Sequence, residues 1–528
     1  MSALDVWLNV VVPILVTGLL ARAVWAALAV EASAQWLLSA AVRRRPAEDG
    51  EAPWLVVLLP MLREQAVAAQ SIAAFTGLDY PTGRAAVAVI TTEREHTTRA
   101  QHRRRLPELA ALPTLTASRL RGLFHAARCP AVADTVNTAP PDERLAVLAE
   151  RFDAEPSTAD IVTALTTGPT SGLPLVHLHQ PDVGGRKPGQ LNFALDCLRD
   201  VLGPLGWRED AHAHDTFILV YDADAVPGAA TLTAFADAAV AHQTRTGRVP
   251  ALIQQQRLPL LIRRPFPRGM AGLLLAEEWV YQLRRSLGIE LARVRLHRWL
   301  TYSRLPEPVR MWLRPMVYAV GCGMAVHLPA LRRLGGFPEP MEDVCTGHRL
   351  SLLGADFAPS TALVLDEPYT DAAGLTNLHA LAFTSSARPD LHARGVAHLP
   401  SALPRLARAA LILREWADEA AWLVGAPLLT AAVASSWCAA PLWAGLAAAG
   451  VLLHGPITTA RLLALAPALH HSVIPPAATE PPPRTARAHP IALVAASPLQ
   501  PFVRLAGPWR LIWAKATGRR LSFGKTER

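Results

Sequence analysis

At 528 residues the chain has room for one large catalytic domain plus membrane segments, or for two or three ordinary domains. A hydrophobic fraction of 51% and a mean hydropathy of +0.21 are high for a water-soluble protein and require an explanation such as membrane spans. The net charge of +9 suits nucleic acid, anionic lipid or a phosphorylated substrate. Aromatics at 6% and the lack of any nucleic-acid motif argue against a base-stacking surface, and the basic residues crowd beside the apolar segments, so the reading is membrane and no nucleic acid. Cys129, Cys197, Cys322, Cys345 and Cys438 are far apart and form no CxxC pair, which argues for reduced thiols over a disulfide framework or a zinc module.

Residues 6–32 are predominantly apolar and long enough to span a bilayer, interrupted by Arg22 and ending near Glu31. Ala32-Ser33-Ala34 also has the form of a signal-peptidase site, the competing reading. Yet no base precedes the apolar run, and Arg43-Arg44-Arg45 follows closely behind it. By the positive-inside rule this cluster keeps the downstream chain cytoplasmic with the N-terminus outside. Residues 1–45 therefore read as an uncleaved anchor, with Arg22 snorkelling or facing protein.

Residues 50–400 read as the cytoplasmic domain, and from 53 to 365 short apolar runs alternate with amphipathic stretches. Residues 54–59, 85–91, 175–178, 217–221 and 252–255 read as strands, several of them apolar throughout. Such strands suit a mostly parallel sheet covered on both faces, hence an α/β domain. Residues 97–160 read as a helical insertion, in which Asp142-Glu143-Arg144 opens an amphipathic helix through Arg151. Residues 401–470 read as an interfacial helix followed by two spans, the apolar block at 420–469 breaking around 438–441 and ending near Arg461. A buried Ala-rich helical hairpin is the alternative for that block. Residues 471–490 form a Pro-rich linker. Residues 491–528 close the chain: 491–513 are apolar but carry Arg504 and Arg510, as an interfacial helix would. The tail with Lys515, Arg519, Arg520, Lys525 and Arg528 suits anionic lipid.

The sharpest chemical feature is Asp222-Ala223-Asp224 behind the apolar run 217–221. A buried strand delivers both carboxylates to its C-terminal end, where open α/β sheets bind ligands. Alternate residues of an extended chain point the same way, so the two acids can converge on one hard cation, Mg²⁺ or Mn²⁺, able to neutralise a diphosphate.

Other motifs accompany it in order. Pro60-Met61-Leu62-Arg63-Glu64 ends the first strand and Thr91-Thr92-Glu93 the second. Arg186-Lys187-Pro188-Gly189-Gln190-Leu191-Asn192 precedes the paired acids. Gly321-Cys322-Gly323, Gly335-Gly336-Phe337, Met341-Glu342-Asp343 and Gly347-His348-Arg349-Leu350 follow them. Together these motifs resemble the family 2 (GT-A fold) glycosyltransferases, in their membrane-integrated cellulose-synthase-like and ceramide-glucosyltransferase-like branches, over residues 53–365. The closing Phe523-Gly524-Lys525 is similar to the last motif of some members.

The resemblance implies inverting, metal-dependent transfer from a nucleotide-sugar, expected to be UDP-linked, to a lipid or saccharide acceptor at the cytoplasmic membrane face. It places Pro60 and Glu64 in the first nucleotide-binding turn and Glu93 near the base or ribose. Lys187 and Asn192 fall beside the diphosphate, Asp222 on ribose or metal, and Asp224 on the metal. Gly321 and Gly323 would allow close backbone approach. Asp343 matches the general base that takes the acceptor proton, with Glu342 orienting base or acceptor. Read alone, Lys187 is a solvated loop lysine, Glu93 a surface acid and Phe337 wall or core. His177, His179, His470 and His471 read as ordinary histidines.

One departure stands out. Polymerising members carry Q-x-x-R-W after the acidic motif, whereas residues 383–394 hold Arg388 and Arg394 but no Gln and no Trp. This favours single transfer over a processive polysaccharide synthase. A catalytically silent membrane scaffold of the same fold is the alternative outside catalysis.

Overall fold

The structure, a computed structural model, describes residues 2–40, 52–81, 83–125, 127–168, 172–261, 266–474 and 489–519. Arg43-Arg44-Arg45, the linker at 475–488, and Arg520 with the closing motif at 523–525 lie outside the described residues. The chain forms two compact units, one built on residues 54–225 and one on residues 1–53 with 226–523.

The first unit is built on four parallel strands, β1 (Trp54–Pro60), β2 (Ala85–Thr92), β3 (Leu175–Gln180) and β4 (Thr216–Val220). β2 lies between β3 and β1, and β1 between β2 and β4. Every residue of β2 and β4 is buried, as is all of β1 up to Leu59. Strands covered on both faces have no solvent side to mark with polar residues, which is why their sequences read as unbroken apolar runs. The insertion after β2 is wider than residues 97–160. It opens with the helix Glu93–Arg103, whose N-cap Thr92 accepts from the Arg94 N–H, and its last helix is Thr158–Thr166. The latter starts with a capping box between Ser157 and Asp160, and the Ser157 hydrogen bonds hold the Asp160 carboxyl below its ordinary range. The helix expected from Asp142 runs over Arg144–Asp153. Leu106, Leu120, Val136, Leu148 and Phe152 give the insertion a core of its own.

In the second unit β6 (Leu252–Leu258) pairs antiparallel with β7 (Met324–His327) and parallel with β8 (Phe357–Leu365). The short β5 (Val226–Pro227) pairs antiparallel with β8. Asp356, at the start of β8, sits buried among Arg248 (2.7 Å), Arg314 (3.3 Å), His242 (3.7 Å) and His297 (3.9 Å). Burial would push its carboxyl up, but these neighbours together hold it below the usual carboxylate range. A depressed folded value means stability that is present above the unfolded value and is lost as pH falls through the folded one. Asp356→Ala should therefore cost on the order of 3 kcal/mol, because it leaves Arg314 without its buried counter-charge. The check is a lowered apparent Tm in detergent at pH 7, with the gap to wild type closing in acid.

Three helices are long and apolar enough to cross a membrane: Ala3–Ser39, Arg405–Ala439 and Pro441–His471. The break between the last two falls at the extended Ala440 with Pro441 at the first helical position, as the sequence indicates. Residues 405–439 form one helix, so the expected interfacial segment and the first span of the pair are a single element. Ties link the three. Arg461 grips Glu31 with two 2.8 Å hydrogen bonds, and the Trp7 indole donates to Ser435 Oγ at 3.0 Å. Val30, Ala34 and Leu37 share a core with Leu258, Leu363 and Leu462, so the first of these helices packs with β6 and β8.

Residues 491–513 do not form one interfacial helix. They form short pieces, Pro490–Ala496, Gln500–Val503 and Ala506–Ala516, because Pro498 and Pro501 each remove a helical donor. These pieces pack on protein: Gln500 Nε2 donates to Glu278 Oε2 at 2.9 Å and Arg510 donates to Asn377 Oδ1 at 2.7 Å.

Candidate functional site

In the first unit the chemistry gathers at the C-terminal ends of the parallel strands. β1 ends at Pro60, level with Ile90 of β2. The turn behind it is held by a residue the motifs did not single out, Glu95. Its buried carboxylate accepts from Arg63 N (2.8 Å), Gln65 Nε2 (3.0 Å) and Thr158 N (2.8 Å). Arg63 has a left-handed backbone with φ 54°, a conformation the Glu95 hydrogen bond helps hold. Glu64 is buried in the same turn, its N–H donating to Thr158 Oγ1 at 2.9 Å. Gln190 is a second brace: its amide donates to Ile90 O (2.8 Å) and Met61 O (3.2 Å), tying the helix Arg186–Asp196 to the ends of β1 and β2. Neither brace had a motif of its own, since a Glu among charged residues and a Gln inside a basic stretch look solvated.

That helix begins after the left-handed Gly185 and carries Lys187 in its first turn, with the half-buried Asn192 further along. Lys187 is not a free loop lysine: its Nζ donates to Asp222 Oδ1 at 2.8 Å. The geometry of Asp222-Ala223-Asp224 differs from the extended arrangement expected. β4 stops at Val220, and the acids lie in a turn closed by Ala225 N donating to Asp222 O at 3.1 Å. The turn splits their environments: the Asp222 side chain keeps 37% of its exposure, while Asp224 is buried at 6%. Asp222 and Asp224 offer oxygen donors of the kind hard divalent cations take, and Lys187 pairs with the first of them.

Glu93 stands apart from these. Its carboxylate lies 3.3 Å from His179 Nε2, and with His96 and His179 it forms a cluster able to hold a metal ion. His177 sits beside it, its imidazole pushed down by burial and by His179. Reading the histidines as ordinary misses that Glu93 and His96 are one helical turn apart, while His177 and His179 alternate on a strand.

In the second unit Asp343 opens the helix Glu342–Leu353. Asp343 Oδ2 accepts from Gly321 N at 2.7 Å and Oδ1 from Val344 N at 2.7 Å. A Cβ on Gly321 would lie 2.9 Å from Asp343 Oδ2 and 3.1 Å from Glu342 Oε1, so only glycine admits this approach. Gly323, at φ +82°, completes the turn, and Gln254 braces it by accepting from Val320 N (2.9 Å) and donating to Gly323 O (3.2 Å). Glu342 and Phe337 are buried. Gly347 has a structural reason: its Cβ would lie 2.2 Å from Ala319 N, because the acidic helix packs directly on the irregular segment leading to Gly321. Gly347→Ala should separate the two, costing about 1–3 kcal/mol. A lowered Tm together with reduced turnover is the expected readout.

Arg388 and Arg394 are both engaged by Asp390, and Arg388 pulls that carboxyl down to about 2. No disulfide joins any of the five cysteines among the described residues.

No protein-family model and no curated protein matches the chain. Among solved structures it is similar to a mannosyltransferase from Pyrobaculum calidifontis in complex with GDP-Man and Mn²⁺, at 15% identity and TM-score 0.40, covering 94% of this chain and 99% of that one. It is also similar to S. aureus TarS 1–349 in complex with UDP, at 11% identity and TM-score 0.32, covering 90% and 98%. Both scores fall below 0.5, and the functional reading rests on the residues of this chain.

Proposed function

We propose that the chain is a membrane-anchored GT-A-type glycosyltransferase that moves a sugar from a nucleotide-sugar, expected to be UDP-linked, to a lipid or small acceptor at the cytoplasmic face. The observation that carries this reading is the Lys187–Asp222 pair at 2.8 Å beside buried Asp224, behind a buried parallel strand. A cation and two carboxylates at a strand C-terminus suit a diphosphate with its counter-ion.

Lys187 would meet the charge that develops on the leaving diphosphate. Mg²⁺ or Mn²⁺ held by Asp222 and Asp224 would supply further neutralisation of that group. The turn at Pro60–Glu64, braced by Glu95 and Gln190, would cradle the nucleoside, with Asn192 on the same helix as Lys187. Asp343 would take the proton of the acceptor hydroxyl as its oxygen bonds to the anomeric carbon, while the bond to the diphosphate breaks with its electron pair. A direct transfer of this kind would invert the anomeric centre. Single transfer is favoured because Arg388 and Arg394 are engaged by Asp390 and no Trp stands nearby in sequence.

The test is nucleoside diphosphate release by the full chain in nanodiscs, with a panel of UDP- and GDP-sugars, lipid acceptors, and Mn²⁺ or Mg²⁺ against EDTA. Release that needs both donor and metal supports the proposal. Absence of release across the whole panel, with a folded protein, supports the silent scaffold instead.

A further inference from the structure

We infer that the first unit carries a transition-metal site formed by Glu93, His96 and His179, built from residues other than Asp222 and Asp224. Three observations converge on it. The first is position. Glu93 and His96 lie one turn apart at the start of the helix Glu93–Arg103, His179 projects from β3, and their ligand atoms all fall within 4.8 Å of one another. A tetrahedral ion with bonds of ~2.0–2.1 Å needs ligand atoms roughly 3.3 Å apart. Glu93 Oε2 and His179 Nε2 already stand at 3.3 Å, and the half-buried His96 closes the rest by side-chain rotation.

The second observation is a relay behind His179. Its Nδ1 lies 2.9 Å from Thr91 Oγ1, Thr91 Oγ1 lies 2.7 Å from His177 Nε2, and His177 Nδ1 lies 3.2 Å from Thr163 Oγ1. Two proton orders satisfy the chain. In one, Thr163 donates to His177, His177 to Thr91 and Thr91 to His179, whose Nε2–H donates to Glu93. In the other, the one a metal would select, His179 Nδ1–H donates to Thr91, Thr91 O–H to His177 Nε2, and His177 Nδ1–H to Thr163. In that order His179 Nε2 is left as a lone pair facing Glu93 and His96. A hydrogen bond on the far nitrogen that fixes the ligating one is the usual support of a metal-bound imidazole.

The third is chemistry and access. Two imidazoles and a carboxylate form a borderline donor set that suits Zn²⁺, whereas the oxygen pair Asp222 and Asp224 suits Mg²⁺ or Mn²⁺. The Glu93 side chain keeps 47% of its exposure, so an ion can enter from solvent. Bound there, it ties the first helix of the insertion to strand β3. Glu93 cannot give one oxygen to both a cation and a nucleoside, so His96, His179 and Thr91 are the positions that separate this inference from the donor-sugar reading.

The experiment titrates the metal-stripped full chain in nanodiscs with Zn²⁺ against a chromophoric chelator, and with Co²⁺ read by its visible d–d bands. One Zn²⁺ per chain is expected to persist in the Asp222→Asn/Asp224→Asn double variant. His96→Gln and His179→Gln should weaken it at least ~100-fold, and Thr91→Val, which alters no ligating atom but removes the hydrogen bond behind His179, about 10–100-fold. Failure of the wild type to hold Zn²⁺, or Zn²⁺ binding unchanged in His96→Gln and Thr91→Val with circular dichroism intact, overturns the site. So does Zn²⁺ lost in the double Asp variant but kept in the His variants.

Discussion

Asp343→Asn is expected to lower turnover by about 10²–10⁴-fold, the usual yield of a positioned general base, with the donor KM within roughly threefold. The substitution preserves shape and removes the proton affinity of the base, so the catalytic loss should fall on kcat. Its geometry makes the test strict. Both Asp343 oxygens accept backbone N–H groups, from Gly321 and Val344, so the carboxylate is aimed by main chain and not by rotamer choice. An amide can accept only one of these, and some loss of stability should accompany the variant. A Tm measured in the same preparation separates that loss from the kinetic one. Turnover within tenfold of wild type removes Asp343 from the mechanism.

Asp224→Ala should be at least as severe. A metal that neutralises a leaving diphosphate supplies several kcal/mol to the transition state, and about 4 kcal/mol corresponds to roughly 10³-fold in rate. Asp224 is the buried member of the pair, while Asp222 is half-exposed and shares an oxygen with Lys187. Losing Asp224 therefore removes the ligand least replaceable by water. The expected signature is a fall of about 10³-fold in kcat/KM with a raised Mn²⁺ requirement. Asp222→Asn should act more through donor binding, because it also removes the carboxylate charge that faces Lys187. Equal activity of wild type and Asp224→Ala in saturating Mn²⁺ sinks the metal assignment.

Strands β1, β2 and β4 were legible because strands covered on both faces leave apolar runs, and the break at Ala440–Pro441 was legible because proline starts a helix and rarely continues one. β7 and β8 were not: Met324–His327 is four residues long, and Pro359 and Ser360 interrupt the apolar run of β8. The acidic motif was legible as composition, but its conformation was not. A strand ending at Val220 and a turn closed on Asp222 cannot be told from a longer strand when every residue up to Tyr221 is apolar. The braces escaped for another reason. Glu95, Gln190 and Gln254 act through long-range hydrogen bonds to main chain, and no local pattern marks a side chain whose partners lie 30 or more residues away. Gly321 and Gly347 were visible as glycines, but the need for them, contact with Asp343 and Ala319, exists only in the folded chain.

The most direct test is a structure of the full chain in nanodiscs with UDP and Mn²⁺, checked by anomalous scattering or difference density. The account predicts a Mn²⁺ ion on Asp222 and Asp224 with the diphosphate bound to it and to Lys187. Nucleotide bound away from the C-terminal end of β4, or Mn²⁺ density absent from both aspartates in the presence of bound UDP, would contradict it.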